Sequence, residues 1–265
     1  MPRPVTMTYH IAPTPAAVAQ AAAQLFTSVA IKAVEARGLA RIAISGGTTP
    51  KAMFALLADP AQPFVKQVPW DKLDLYWVDE RCVPPDHADS NYRMTKEALL
   101  SKVPLSTERI HRMEGELEPE VAAARYESII RNSFKLEGAE TPTFDLILLG
   151  MGDDGHTASL FPHTEAINDM THIVVANHVP QKDTWRITLT WPVINQGREV
   201  VFLIEGAAKA QVLHDVLFGP YQPDTYPSQI IRPASGRLTL LLDAAAAAKL
   251  PAPADSTSTG TLELR

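Results

Sequence analysis

The chain predicts an α/β fold built on a mainly parallel sheet, and three features carry that expectation. Short apolar runs recur that suit strands covered on both faces, the run at 145–149 being nearly unbroken. Between them lie stretches with three- and four-residue apolar spacing, as expected of crossover helices. Glycine-rich polar loops stand directly after two of the strands, at 45–50 and 150–156. In an open α/β sheet such carboxyl-end loops form the binding crevice.

Taken in order, the opening MPRPVTMTYH holds two prolines and no apolar core of signal-peptide length, so no secretory leader is expected. Thr14 or Pro15 starts a long helix in which Val18, Ala22, Leu25, Val29 and Ala33 form an apolar stripe that ends near Gly38. Gln20, Gln24, Lys32 and Glu35 interrupt its alanine-rich span, which reads as short of a membrane crossing. Residues 41–45 are a strand, 46–50 a glycine turn, and Pro50 suits the first position of a helix through Met53, Leu56 and Leu57. Next come a strand in LDLYWV, a loop over 79–89, a helix over 90–100, a helix over 119–134 and the central strand at 145–149. Further strands are expected at 172–176, 186–191, 199–204 and 238–242, with a helix at 207–217. No helix separates the strands between Ile173 and Trp191, so that part is expected to be antiparallel or to form a small lid. Residues 1–250 read as one domain, and 251–265, poor in bulky apolar groups, as a mobile tail.

At 265 residues, with 46% hydrophobic and 20% charged residues, the chain is ordinary globular material. A net charge of −6 argues against a nucleic-acid binder and requires any anionic ligand to meet a locally cationic pocket. One cysteine, Cys82, excludes an internal disulfide and fits a reducing, cytoplasmic setting; it reads as a small packed side chain. No membrane association and no obligate protein partner is evident.

Four constellations could carry chemistry. SGGTTP at 45–50 offers backbone N–H groups of Gly46 and Gly47 at a helix start, with the Thr48 and Thr49 hydroxyls, as an anion site. It is neither a Walker loop nor a GxGxxG turn. Asp79, Glu80 and Arg81 end the LDLYWV strand and would line the crevice, Arg81 reaching a phosphate or carboxylate. His156 is the only one of eight histidines inside a glycine-rich strand-end loop, and the others lack metal-ligand spacing, so no metal site is read. A neutral imidazole there can take a proton from water, and Asp154 could fix its tautomer. Arg186 and Lys209 follow strands as isolated cations; Lys209 falls in a first helical turn, where a cation opposes the dipole unless an anionic ligand compensates, and that mismatch hints at phosphate. Each motif alone also reads blandly: a capped turn, a solvated triplet, a histidine satisfying its own loop.

Together, SGGTTP at 45–50, VDER at 78–81 with SNY at 90–92, GMGDDGHTASLFP at 150–162, RITLT at 186–190, GAAKA at 206–210 and RPASGRLTLLLDAAAA at 232–247 resemble the 6-phosphogluconolactonases. The resemblance implies a Rossmann-like α/β/α sandwich similar to glucosamine-6-phosphate deaminase and ribose-5-phosphate isomerase. It also implies hydrolysis of a phosphorylated sugar lactone without metal or organic cofactor. It would make His156 the general base, with Asp154 or a main-chain carbonyl orienting it. The Gly46–Gly47 turn or Arg81 would balance the oxyanion. Arg186, Lys209 and Arg81 would hold the phosphate, with Thr48, Thr49 and Asp79 beside the substrate. A deaminase-like isomerase is the nearest competitor, but it is similar to GHIAFNEP where this chain has Phe161 in place of the acidic residue. A sugar-phosphate sensor without catalysis is the third reading.

Overall fold

The computed structural model describes residues 4–234, 236–251 and 259–264. Strand β1, Val5–Ala12, buries Val5, Met7 and Tyr9 in strict alternation with polar residues. Helix α1, Pro15–Arg37, starts at Thr14, whose side chain accepts from the Ala17 N–H at 3.2 Å. It stops at Gly38, whose left-handed φ of 77° lets its N–H reach the Val34 carbonyl at 2.8 Å. Its 23 residues and mean hydropathy of 1.3 make it long and apolar enough to cross a membrane, contrary to the sequence expectation. Its apolar side is packed within the fold: Val18, Ala22, Phe26, Ala30 and Ala33 are buried, and the helix lies against the neighbouring strands.

The chain continues through β2 (Ala40–Ile44), α2 (Thr48–Ala58), a short α3 (Phe64–Gln67), β3 (Leu73–Trp77) and β4 (Asp79–Arg81). Helix α4 (Asn91–Thr95) runs on into one π-helical turn at Lys96–Leu100. Then come β5 (Ile110–His111), α5 (Pro119–Phe134), β6 (Leu146–Leu149), β7 (Val174–Val179), β8 (Thr184–Leu189), α6 (Trp191–Ile194), β9 (Glu199–Ile204), α7 (Lys209–Phe218), β10 (Arg237–Asp243) and β11 (Thr259–Leu264). Helix α2 begins at Thr48, so Pro50 is its third residue rather than its first.

Eight strands form the main sheet in the order β11-β1-β10-β9-β6-β2-β3-β5. Every pairing is parallel except that of β11, which runs antiparallel to β1. Thus residues 259–264, expected in a mobile tail, are an edge strand; residues 252–258 of that tail lie outside the described residues. The expected antiparallel element is the small sheet β4-β8-β7, into which Asp79–Arg81, read as loop, is drawn as a strand.

The strand order sets the position of the site. From β2 the chain steps outward to β3 and β5, then returns to place β6 on the other side of β2 and moves away through β9 and β10. The β2–β6 junction, registered by Ile42 with Leu146 and Ala43 with Ile147, is therefore a switch point, where a crevice opens beyond the carboxyl ends. Residues 45–47 and 150–156 leave the sheet on either side of it.

Candidate active site

A cavity of about 330 Å³ occupies that crevice. Its walls include Gly46, Gly47, Thr48, Thr49, Asp79, Arg81, His156, Arg186 and Lys209; of the residues selected from sequence, Glu80, which is buried, and Asp154 do not line it. Asp154 touches the cavity through His156 instead.

The loop after β6 is folded around one hydrogen-bonded pair. Asp154 Oδ1 lies 2.6 Å from His156 Nδ1 and also accepts the His156 backbone N–H at 3.1 Å. Burial works to raise the Asp154 carboxyl, but the hydrogen bond and charge of His156 outweigh it and hold the group at about 2. An ionised Asp154 fixes the proton on Nδ1 and leaves Nε2 as the free lone pair. Gly152 makes room for the pair: a Cβ there would stand 2.0 Å from His156 Nδ1 and 2.6 Å from Asp154 Oδ1. Phe161 buries its ring against the imidazole, the centroids 3.9 Å apart and the planes at 22°.

Two arginines face each other across the small sheet, since Arg81 on β4 is registered directly opposite Arg186 on β8. Like charges so placed oppose folding. The guanidinium of Arg186 is accordingly pulled below its ordinary value, by burial first and by the Arg81 charge second. Arg81 Nη1 donates to the Asp89 carbonyl at 2.6 Å and Arg186 Nη1 to Thr184 Oγ1 at 2.9 Å, and among the described residues neither forms an ion pair with a carboxylate. The loop that carries Arg81 is tied down by buried Glu80, which accepts from the N–H groups of Arg81, Asn91 and Tyr92 at 2.8 Å each. Cys82 is inert beside it, burial pushing its thiol up to about 11.

On the opposite wall, no side chain caps the first turn of α2, where Gly47 is the N-cap residue. The turn keeps its orphan N–H groups for an anion. Gly46 is held against Asn91, whose Oδ1 would be 1.8 Å from an added Cβ. Asp79 braces the floor: its Oδ2 accepts from Ser159 Oγ at 2.7 Å, and its carbonyl accepts from Asn91 Nδ2 at 3.0 Å. Lys209 does stand in the first turn of α7, and the compensating anion is internal: its Nζ lies 2.5 Å from Asp153 Oδ1.

Four contributors escaped sequence reasoning. Asp153 was legible as a loop carboxylate but not as the partner of Lys209. Asn91 lay within the SNY motif, without a stated role. Lys182 and Glu205 line the cavity with no motif to mark them. Glu205 Oε1 is buried with no hydrogen-bond partner among the described residues, and its carboxyl is raised by burial, against the Thr49 hydroxyl, with Asp243 adding to the rise. Among the described residues no group of three or more histidine, cysteine or acidic side chains is arranged to hold a metal ion.

A parallel sheet whose switch point carries this cavity is an architecture shared with known proteins. Residues 13–240 match the family model described as glucosamine-6-phosphate isomerases/6-phosphogluconolactonase, and the chain belongs to that family. Within it, the chain is 42% identical to the 6-phosphogluconolactonase of Synechocystis sp. over 213 residues, which cover 80% of this chain and 85% of the relative. Its structure superposes on that of the 6-phosphogluconolactonase from Trypanosoma cruzi with a TM-score of 0.81 and 28% identity, over 93% of this chain and 97% of the other. A monomeric glucosamine-6-phosphate deaminase shares the fold, at a TM-score of 0.74 and 19% identity over 92% of this chain and 100% of the other.

Proposed function

We propose that this chain hydrolyses 6-phospho-D-glucono-1,5-lactone to 6-phospho-D-gluconate, the second step of the oxidative pentose phosphate pathway, in the cytoplasm. A six-membered lactone is already a reactive ester, so the enzyme needs only to activate water and balance charge on the carbonyl oxygen. His156 Nε2 takes a proton from water as the oxygen bonds to C1. The resulting oxyanion faces the N–H groups of the Gly46–Gly47 turn or Arg81, donors worth about 3–4 kcal/mol each in comparable sites. Collapse breaks the bond from C1 to the ring oxygen, which takes the proton back from the His156 imidazolium, leaving a carboxyl group that ionises. Arg81, Arg186 and Lys209 grip the 6-phosphate.

The observation that carries this reading is the joint presence, in one cavity, of the hydrogen-bonded His156, held by Asp154, and a cross-strand arginine pair that forms no ion pair among the described residues. Phe161 on the imidazole disfavours isomerase chemistry, because an apolar ring cannot carry the proton that ring opening requires. A coupled assay on freshly generated lactone tests the proposal. Wild type should turn it over, and His156→Ala should lose about 10²- to 10⁴-fold in kcat. Near-normal turnover by the variant, after subtracting spontaneous hydrolysis, would remove His156 from the base role.

A further inference from the structure

The tip of the β7–β8 hairpin contributes Lys182 to the wall of the cavity. A single 3-10 turn, Pro180–Lys182, closes the hairpin, and Asp183 turns the chain with a left-handed φ of 45°. Gln181 Nε2 donates to the Pro162 carbonyl at 2.7 Å, pinning the tip to the segment that follows His156. The next residue, Lys182, lines the cavity with its Nζ 5.8 Å from the centre of the Phe161 ring, the ring stacked on His156. Its ammonium has no carboxylate within ion-pair distance among the described residues, whereas Lys209 is matched by Asp153. A cation left on an aromatic face gains only modestly from it and is free to trade that contact for an anion.

We propose that Lys182 is a further catalytic residue, the one that binds the negative charge developing at C1 and then the product carboxylate. This rests on the lactonase reading given above. The lactone carbonyl is neutral, the oxyanion and the carboxylate are not, and a cation in the same cavity, over the ring that stacks on His156, therefore meets charge at C1 only as the reaction proceeds. Such an interaction favours the transition state over the ground state and lowers kcat when lost, with KM little changed. The arginine pair and Lys209, by contrast, meet a phosphate present from the start. Lys182 sits on an exposed tip, so its replacement leaves the core untouched.

Calorimetric binding of two stable ligands separates the roles. 6-Phospho-D-gluconate carries both phosphate and carboxylate; D-glucitol 6-phosphate carries the same phosphate and a hydroxymethyl group at C1. Lys182→Met should weaken the first about fivefold and leave the second unchanged, with Lys182→Arg restoring the difference. Equal weakening of both ligands would make Lys182 a phosphate contact, and no weakening of either would leave it a surface lysine; each result overturns the proposal. Failure of the underlying reading shows itself separately, as wild type that does not turn over fresh lactone, because the ligand comparison needs no turnover.

Discussion

The two ends of the same parallel strands handle charge in opposite ways. At the amino end, Asp145 is 5% exposed and fully engaged: Oδ1 meets Arg37 at 2.7 Å and Arg198 at 3.5 Å, and Oδ2 accepts the Arg41 N–H at 2.9 Å. Glu199 beside it takes Arg237 at 2.6 Å and Thr239 Oγ1 at 3.0 Å. At the carboxyl end, Arg81 opposes Arg186, Glu205 keeps a buried oxygen with no partner among the described residues, and Lys182 rests on a ring. One end is electrostatically closed and holds strands together. The other is left incomplete, and an anionic ligand would complete it.

Breaking the closed end should cost stability and spare chemistry. Asp145→Ala strips the counter-charge from two arginines and orphans the Arg41 N–H, so urea denaturation should show a loss of about 2–3 kcal/mol. Lactone turnover by the folded fraction should stay at wild-type level; a matching fall in kcat would erase the distinction between the two ends. Altering the open end should do the reverse. Arg186→Gln removes the like-charge opposition and should raise the stability of the free protein by a few tenths of a kcal/mol, while raising KM for the phosphorylated lactone about tenfold. A non-phosphorylated lactone should be affected less, and equal losses on both would contradict a phosphate role.

The smallest effect is expected in acid. The Asp154 carboxyl lies below its ordinary 3.8, at about 2, so its contribution to stability is complete above pH 3.8 and fades as pH falls through about 2. Asp154→Asn should abolish that acid-side slope, and it should lower kcat less than His156→Ala because the imidazole remains but loses its fixed tautomer. An NMR titration placing Asp154 at its ordinary value would break the link between the pair and catalysis.

Local signals in the sequence were enough for much of this. The uniform apolar runs of β3, β6 and β9 and the stop at Gly38 speak for themselves within a few residues, and so does the junction of β6 with its glycine loop. What escaped depends on partners far along the chain. β1 alternates cleanly over a few residues, but no strand was expected there, and its role emerges only when β10 pairs with it. β5 is two residues long. That Arg81 meets Arg186 follows from the register of strands a hundred residues apart, which no spacing within either motif encodes. The mismatch of Lys209 with its helix dipole pointed to an anionic ligand, whereas the structure places Asp153, from another loop, beside it. Glu205 follows an apolar strand with nothing to distinguish it from a surface glutamate.

Strand β11 has one more implication. Its ladder from Thr259 to Leu264 occupies the outward hydrogen-bonding groups of β1, and the far border of the sheet is the two-residue β5. The margin on that side is therefore the six-residue β11, which carries the charged Glu263, in place of β1. A chain shortened before Thr259 would expose a bare template along residues 5–10, and self-association rather than lost turnover would be the first symptom.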